Sequence, residues 1–192
     1  MRKCIISLFT ITVLFNLIAC SPTLAKTIYP DAIEHQIKEQ LKEKPDFDSS
    51  KPVEIVKMVK TPKKHYYIVL FTYSPYYTKH LGDAIFKKEK GNYTFVGGMA
   101  STSEKLNNTT MYIDEVPYNV VYGSNEGNRI KTLKIATLDK KSSYTAQIKK
   151  GAYFVHFKMF PHNTDLEKVN PFYIMDCYDI GNKQIPWNEC VE

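Results

Sequence analysis

Residues 65–73 read HYYIVLFTY, nine positions of which only His65 and Thr72 are neither apolar nor aromatic. A strand with one wet face alternates apolar with polar side chains, whereas an unbroken run is covered on both faces. The stretch is therefore predicted to be an interior strand, and the rest of the fold is arranged around it. On its N-terminal side, residues 53–59 read as a second, more mixed strand. Ahead of that, IYPDAIEHQIKEQLKEKP (28–45) reads as a helix. Pro30 and Asp31 suit a first turn, Glu34 follows Asp31 at the spacing of a capping pair, and Pro45 stops the run. Ile33, Ile37 and Leu41 recur every four residues, which gives one narrow stripe to lay against a sheet.

On the C-terminal side, strand follows strand. Residues 84–89 and 93–96 flank Lys90-Gly91-Asn92, where a Gly-Asn turn predicts a hairpin. Further strands are expected at 110–114, 118–122, 129–137, 144–149, 153–160, 172–178 and, briefly, 184–185. In AYFVHFKMF (152–160), Tyr153, Val155, Phe157 and Met159 alternate with positions that include His156 and Lys158, so the first set is expected in the core. Ile130 is out of phase with Leu133 and Ile135, which a bulge near Lys131-Thr132 would repair. The 14 Tyr and 10 Phe of the 192 residues suit a strand-rich chain. The fold class expected is mainly β (α+β): one N-terminal helix on an antiparallel sheet or β-sandwich, with an immunoglobulin-like arrangement open for the second half.

Residues 1–19 have the parts of an export signal: Arg2 and Lys3, an apolar stretch from Ile5 to Ala19, and small residues at its end. About 15 residues of helix span roughly 22 Å, short of the roughly 30 Å of a membrane core, so a removable leader is expected rather than a permanent span. Within it, Leu17-Ile18-Ala19-Cys20 resembles the lipobox of bacterial lipoproteins: a branched apolar residue three before a Cys, and a small residue directly before it. The resemblance implies that the Cys20 thiol takes a lipid and that the bond before it is cut. Cys20 then becomes the first residue of a protein anchored to the outer face of the cell membrane. The likeness covers the leader alone; in composition, the remainder resembles, weakly, small surface lipoproteins of low-GC Gram-positive bacteria. A competing cut after Thr23-Leu24-Ala25 would discard Cys20 and yield a secreted protein. The organisation expected is a signal peptide at 1–19, a flexible spacer at 20–29 and one β-rich domain at 30–192, with a sub-boundary allowed near the polar stretch 100–108.

Export bears on the cysteines. With Cys4 in the leader and Cys20 lipidated, Cys177 and Cys190 are the remaining pair, read either as a disulfide or as two free thiols. The formal charge of +6 drops to +4 when Arg2 and Lys3 leave with the leader. The lysines are scattered, with only short clusters such as Lys63-Lys64, Lys87-Lys88 and Lys140-Lys141. Nucleic acid is therefore not an expected partner, and weak attraction to anionic wall polymers or lipid head groups is.

Catalytic signatures are missing from the sequence. There is no GxSxG, and GSNEGNR (123–129) lacks the Lys and helix of a phosphate loop. His35, His65, His80, His156 and His162 form neither HxH nor HExxH, so neither a metal nor a cofactor is expected. The densest polar group is SPYYTKHLGD (74–83), where Tyr76, Tyr77, Lys79, His80 and Asp83 could stack on a sugar ring or take an acidic group. The plainer alternative is a connecting loop. Asp176, between Met175 and Cys177, is expected either buried with a raised pKa or solvated on an edge strand. The function that emerges is a membrane-anchored, non-catalytic module binding an envelope polymer or a partner protein. The alternative is a secreted hydrolase or small-molecule carrier with a site assembled in space.

Overall fold

The computed structural model describes residues 29–75, 78–102, 105–160 and 171–191. The leader, Cys20 and the Tyr76-Tyr77 pair lie outside them. Within the described residues the chain is mainly β, with eleven strands in antiparallel sheets.

Helix α1 (Asp31–Leu41) buries Ile33, Ile37 and Leu41 completely, as the four-residue spacing requires. Its start differs from expectation: no side chain caps it, and Glu34 instead pairs with Lys38 at 2.7 Å. An i,i+4 pair of that kind adds about 0.3–0.5 kcal/mol, so packing of the stripe holds the helix.

The first sheet is a meander of β1 (Glu54–Lys60), β2 (Tyr66–Tyr73), β3 (His80–Glu89) and β4 (Asn92–Thr102), in that order. Ile68, Val69, Leu70 and Phe71 of β2 are all fully buried, which meets the reading of HYYIVLFTY. Val69, Phe71 and Tyr73 pack with Ile33, Ile37 and Leu41 of α1, while Tyr66, Ile68 and Leu70 pack with a second sheet. Gly82 lets the Phe71 ring lie across β3, since a Cβ there would come within 2.5 Å of it. The β3–β4 turn is formed by Lys90 and Gly91, both at positive φ, and Asn92 already pairs with Glu89. Two positive-φ residues match the right-handed twist of the flanking strands, which places the turn one residue earlier than the Gly-Asn reading.

The chain continues through β5 (Leu106–Ile113), β6 (Val116–Ser124), β7 (Thr132–Thr137), β8 (Ser143–Gln147), β9 (Tyr153–Met159), β10 (Phe172–Tyr178) and β11 (Gln184–Ile185) to a short helix, α2 (Trp187–Val191), that the sequence reading missed. These strands form a second sheet in the order β5-β6-β9 and a third in the order β11-β10-β7-β8. The polar stretch 100–108 is where the chain passes from the first sheet to the second. The layers stack as helix, first sheet, second sheet and third sheet, with an apolar core in each gap.

Two expectations change because the second sheet is covered on both faces. Tyr153, Val155 and Phe157 do pack toward the first sheet, but Met159 is 57% exposed. Phe154, on the other face of β9, is buried against the third sheet, and His156 is half-buried, stacked on Tyr144. Ile130 reaches the core without a bulge at Lys131-Thr132. It precedes β7, and the Asn125 side chain holds it by accepting from its N–H at 2.8 Å and donating to its C=O at 2.9 Å. The bulge falls on the partner strand, between Ile174 and Asp176 of β10. Cys177 and Cys190 form a disulfide, with Cα atoms 6.6 Å apart, that ties α2 to β10.

Candidate functional site

The polar group read from SPYYTKHLGD does not converge among its described members. Lys79 is exposed. His80 opens β3 with its ring edge against Tyr73, centroids 5.6 Å apart. Asp83 lies three residues further along the same strand, so it points to the opposite face, toward the second sheet.

There Asp83 is fully buried, and its Oδ1 accepts a 2.8 Å hydrogen bond from the Tyr122 hydroxyl of β6. That hydroxyl in turn accepts from Asn107 Nδ2 of β5 at 2.6 Å. The other carboxylate oxygen, Oδ2, has no hydrogen-bond partner among the described residues, and Gly98 sits over it so closely that a Cβ would lie 2.9 Å away. Burial pushes the Asp83 carboxyl up to about 6, against the opposing pull of the Tyr122 bond and the Lys44 charge. Burial likewise drives the Tyr122 phenol upward. The arrangement is a buried, titratable tie between two sheets.

Asp176 is partly exposed, as one of its two readings expected, but not on an edge strand. It stands at the bulge of β10, an interior strand of the third sheet, yet it is partly exposed on the outer face. It accepts from Gln184 Nε2 at 2.7 Å and from the Tyr178 hydroxyl at 3.4 Å. A shallow cavity of about 650 Å³ lies beside it, with Lys134, Lys140, Ser143, Thr145 and Met175 in its wall.

A more directed site occurs where three sheet edges meet. β1, β9 and β8 each end a sheet, and between them lies a cleft of about 480 Å³, within the usual range for ligand sites. Its floor is apolar, from Val59, Ile148, Phe154, Val155 and Phe157; its rim carries Lys57, Lys60, Lys149 and His156. No carboxylate stands among its described lining residues, and none of the three ammonium groups is in an ion pair with a described residue. Lys57 Nζ donates to the Tyr153 carbonyl at 2.6 Å, and its pKa is held below the ordinary lysine value by burial and then by the Lys149 charge. His156 is also lowered, by burial and then by Lys158. Like charges this close repel one another, and an anion relieves that repulsion.

Sequence reasoning missed this site. The flagged clusters Lys63-Lys64, Lys87-Lys88 and Lys140-Lys141 contribute nothing to it, and Lys57 and Lys149 are far apart along the chain. The local hints were Lys57 and Lys60 on one strand and the adjacent pair Lys149-Lys150, patterns any solvated edge shows. Comparison of the chain with protein-family models, curated proteins and solved structures gave no match.

Proposed function

We propose that the protein is a non-catalytic binding module of the cell envelope, tethered by lipid on Cys20, that takes anionic groups of an envelope polymer or partner protein in the cleft between β1, β8 and β9. The observation that carries the binding half is the set of three lysines without acidic partners among the described residues around an apolar floor. The tether rests on Leu17-Ile18-Ala19-Cys20 alone. The last two sheets support the immunoglobulin-like reading: β5-β6-β9 corresponds to the A-B-E order of that fold and β11-β10-β7 to G-F-C, with β8 paired beside β7 rather than β9.

Each half has its own test. Intact-mass analysis of the membrane fraction should find acyl mass on Cys20 in the wild type, and a Cys20→Ala variant should be shed or left unprocessed. A wild type that begins at Lys26 and collects in the medium overturns the tether. For the cleft, polyphosphate should bind with an affinity that falls as salt rises. Charged hydrogen bonds contribute about 1.5–3 kcal/mol each, so Lys57→Gln with Lys149→Gln should weaken binding at least about tenfold, read by titration calorimetry. Unchanged affinity in that variant overturns the site. The cavity beside Asp176 favours a second reading, a small-molecule carrier. Ligand binding that survives the double lysine variant but fails on Asp176→Ala would point there.

A further inference from the structure

We infer that the occupant of the cleft is an extended acidic peptide segment, which adds to the edge of β9 that no described strand pairs, as a fourth strand of the second sheet; this rests on the anion-binding reading above. In an antiparallel pair, residues alternate between those that exchange hydrogen bonds with the neighbour and those that turn N–H and C=O away from it. The two ends of the β6–β9 ladder fix the phase: the Phe160 N–H donates to the Pro117 carbonyl, and the Asn125 N–H donates to the Ala152 carbonyl. With the observed register, that phase sets Phe154, His156 and Lys158 against β6. It turns the backbone groups of Tyr153, Val155 and Phe157 to the open side. The Tyr153 carbonyl shows where that side faces, because Lys57 Nζ reaches across from β1 to bond it. Val155 and Phe157 line the cleft and offer two N–H donors and two C=O acceptors to whatever enters.

The chemistry of that row selects its partner. A phosphate polymer accepts hydrogen bonds but donates none, so it would leave the Val155 and Phe157 carbonyls unpaired. A peptide backbone supplies donors and acceptors at the same two-residue repeat, the mode of strand addition at a sheet edge. Side chains of an added strand point alternately to the two faces of the sheet. They would meet Lys57 of β1 on one side and Lys149, just past β8, on the other, so carboxylates are favoured on both faces. The contrary role for such lysines is to keep a bare edge from pairing with other chains.

The test titrates the whole protein with three probes: an alternating Val-Glu peptide, the same peptide N-methylated at the amides that would face β9, and polyphosphate. Calorimetry gives affinity, and amide NMR of Val155 and Phe157 gives position. Strand addition predicts that the plain peptide binds, that N-methylation weakens it at least tenfold, and that both reporter amides shift only with the plain peptide. Equal binding of the two peptides, with polyphosphate as tight, overturns strand addition and leaves the anion site standing. Failure of all three probes overturns both and leaves the lysines as guards of the edge.

Discussion

Replacing Asp83 by Asn should remove a pH-dependent change in stability of about 3 kcal/mol between about pH 4 and about pH 7. Asp83 is fully buried, and its carboxyl is raised from 3.8 to about 6, chiefly by burial. A raised acid holds its proton in the folded state where the unfolded chain has already released it. The stabilisation is therefore complete below the unfolded value and is lost as pH rises through the folded one. Above that, the folded protein carries a buried charge with one oxygen bonded to Tyr122 and the other unpartnered among the described residues. Urea unfolding of wild type and Asp83→Asn at a series of pH values isolates the effect, because every other carboxyl is common to both. The difference between the two proteins should change by about 3 kcal/mol across the window, in favour of the variant as pH rises. A difference that stays constant with pH would mean that the carboxyl releases its proton at the same pH in the folded and unfolded chains.

Loss of the Cys177–Cys190 bridge should lower stability by about 3 kcal/mol, the amount expected for a closed loop of roughly 14 residues. The disulfide secures β11 and α2, which are short elements with little else to hold them. Cys177, Ile185 and Cys190 reach the core between the second and third sheets, and outside it Arg129 pairs with Glu189 at 2.6 Å on the surface. A surface ion pair of that kind adds well under about 1 kcal/mol, so the covalent link dominates. Trp187 is the chain's only tryptophan, half-exposed at the start of α2, and reports on this end directly. Denaturation of Cys177→Ser with Cys190→Ser, followed by Trp187 emission and by far-UV circular dichroism, should show the emission transition moving to lower denaturant by the larger amount. Coincident transitions at the wild-type midpoint would show that the bridge adds nothing.

The reach of the sequence can be judged from single residues. Asp83 was picked out for its neighbours along the chain, Lys79 and His80, yet strand alternation sends it to the face away from His80 and into contact with Tyr122, 39 residues on. Ile130 looked out of register because period-two reading assumes that a strand begins where apolar residues begin. In the fold it is a loop residue held by Asn125. Lys57 and Lys149 looked like ordinary surface charge until the edges of three sheets brought them to one cleft.

What the sequence determined by itself were the features set within a few residues: the buried stripe of α1, the doubly covered β2, the existence of nearly every strand, and the availability of Cys177 and Cys190 for pairing. Helix and strand periods are local, and an unbroken apolar run reports burial on both faces wherever the covering layers come from. Only the tertiary structure decided how the strands divide among three sheets, which edges stay open, and which charges share a cleft. Those outcomes depend on contacts between segments far apart in the chain, whose pairing leaves no mark on the spacing of residues within any one of them.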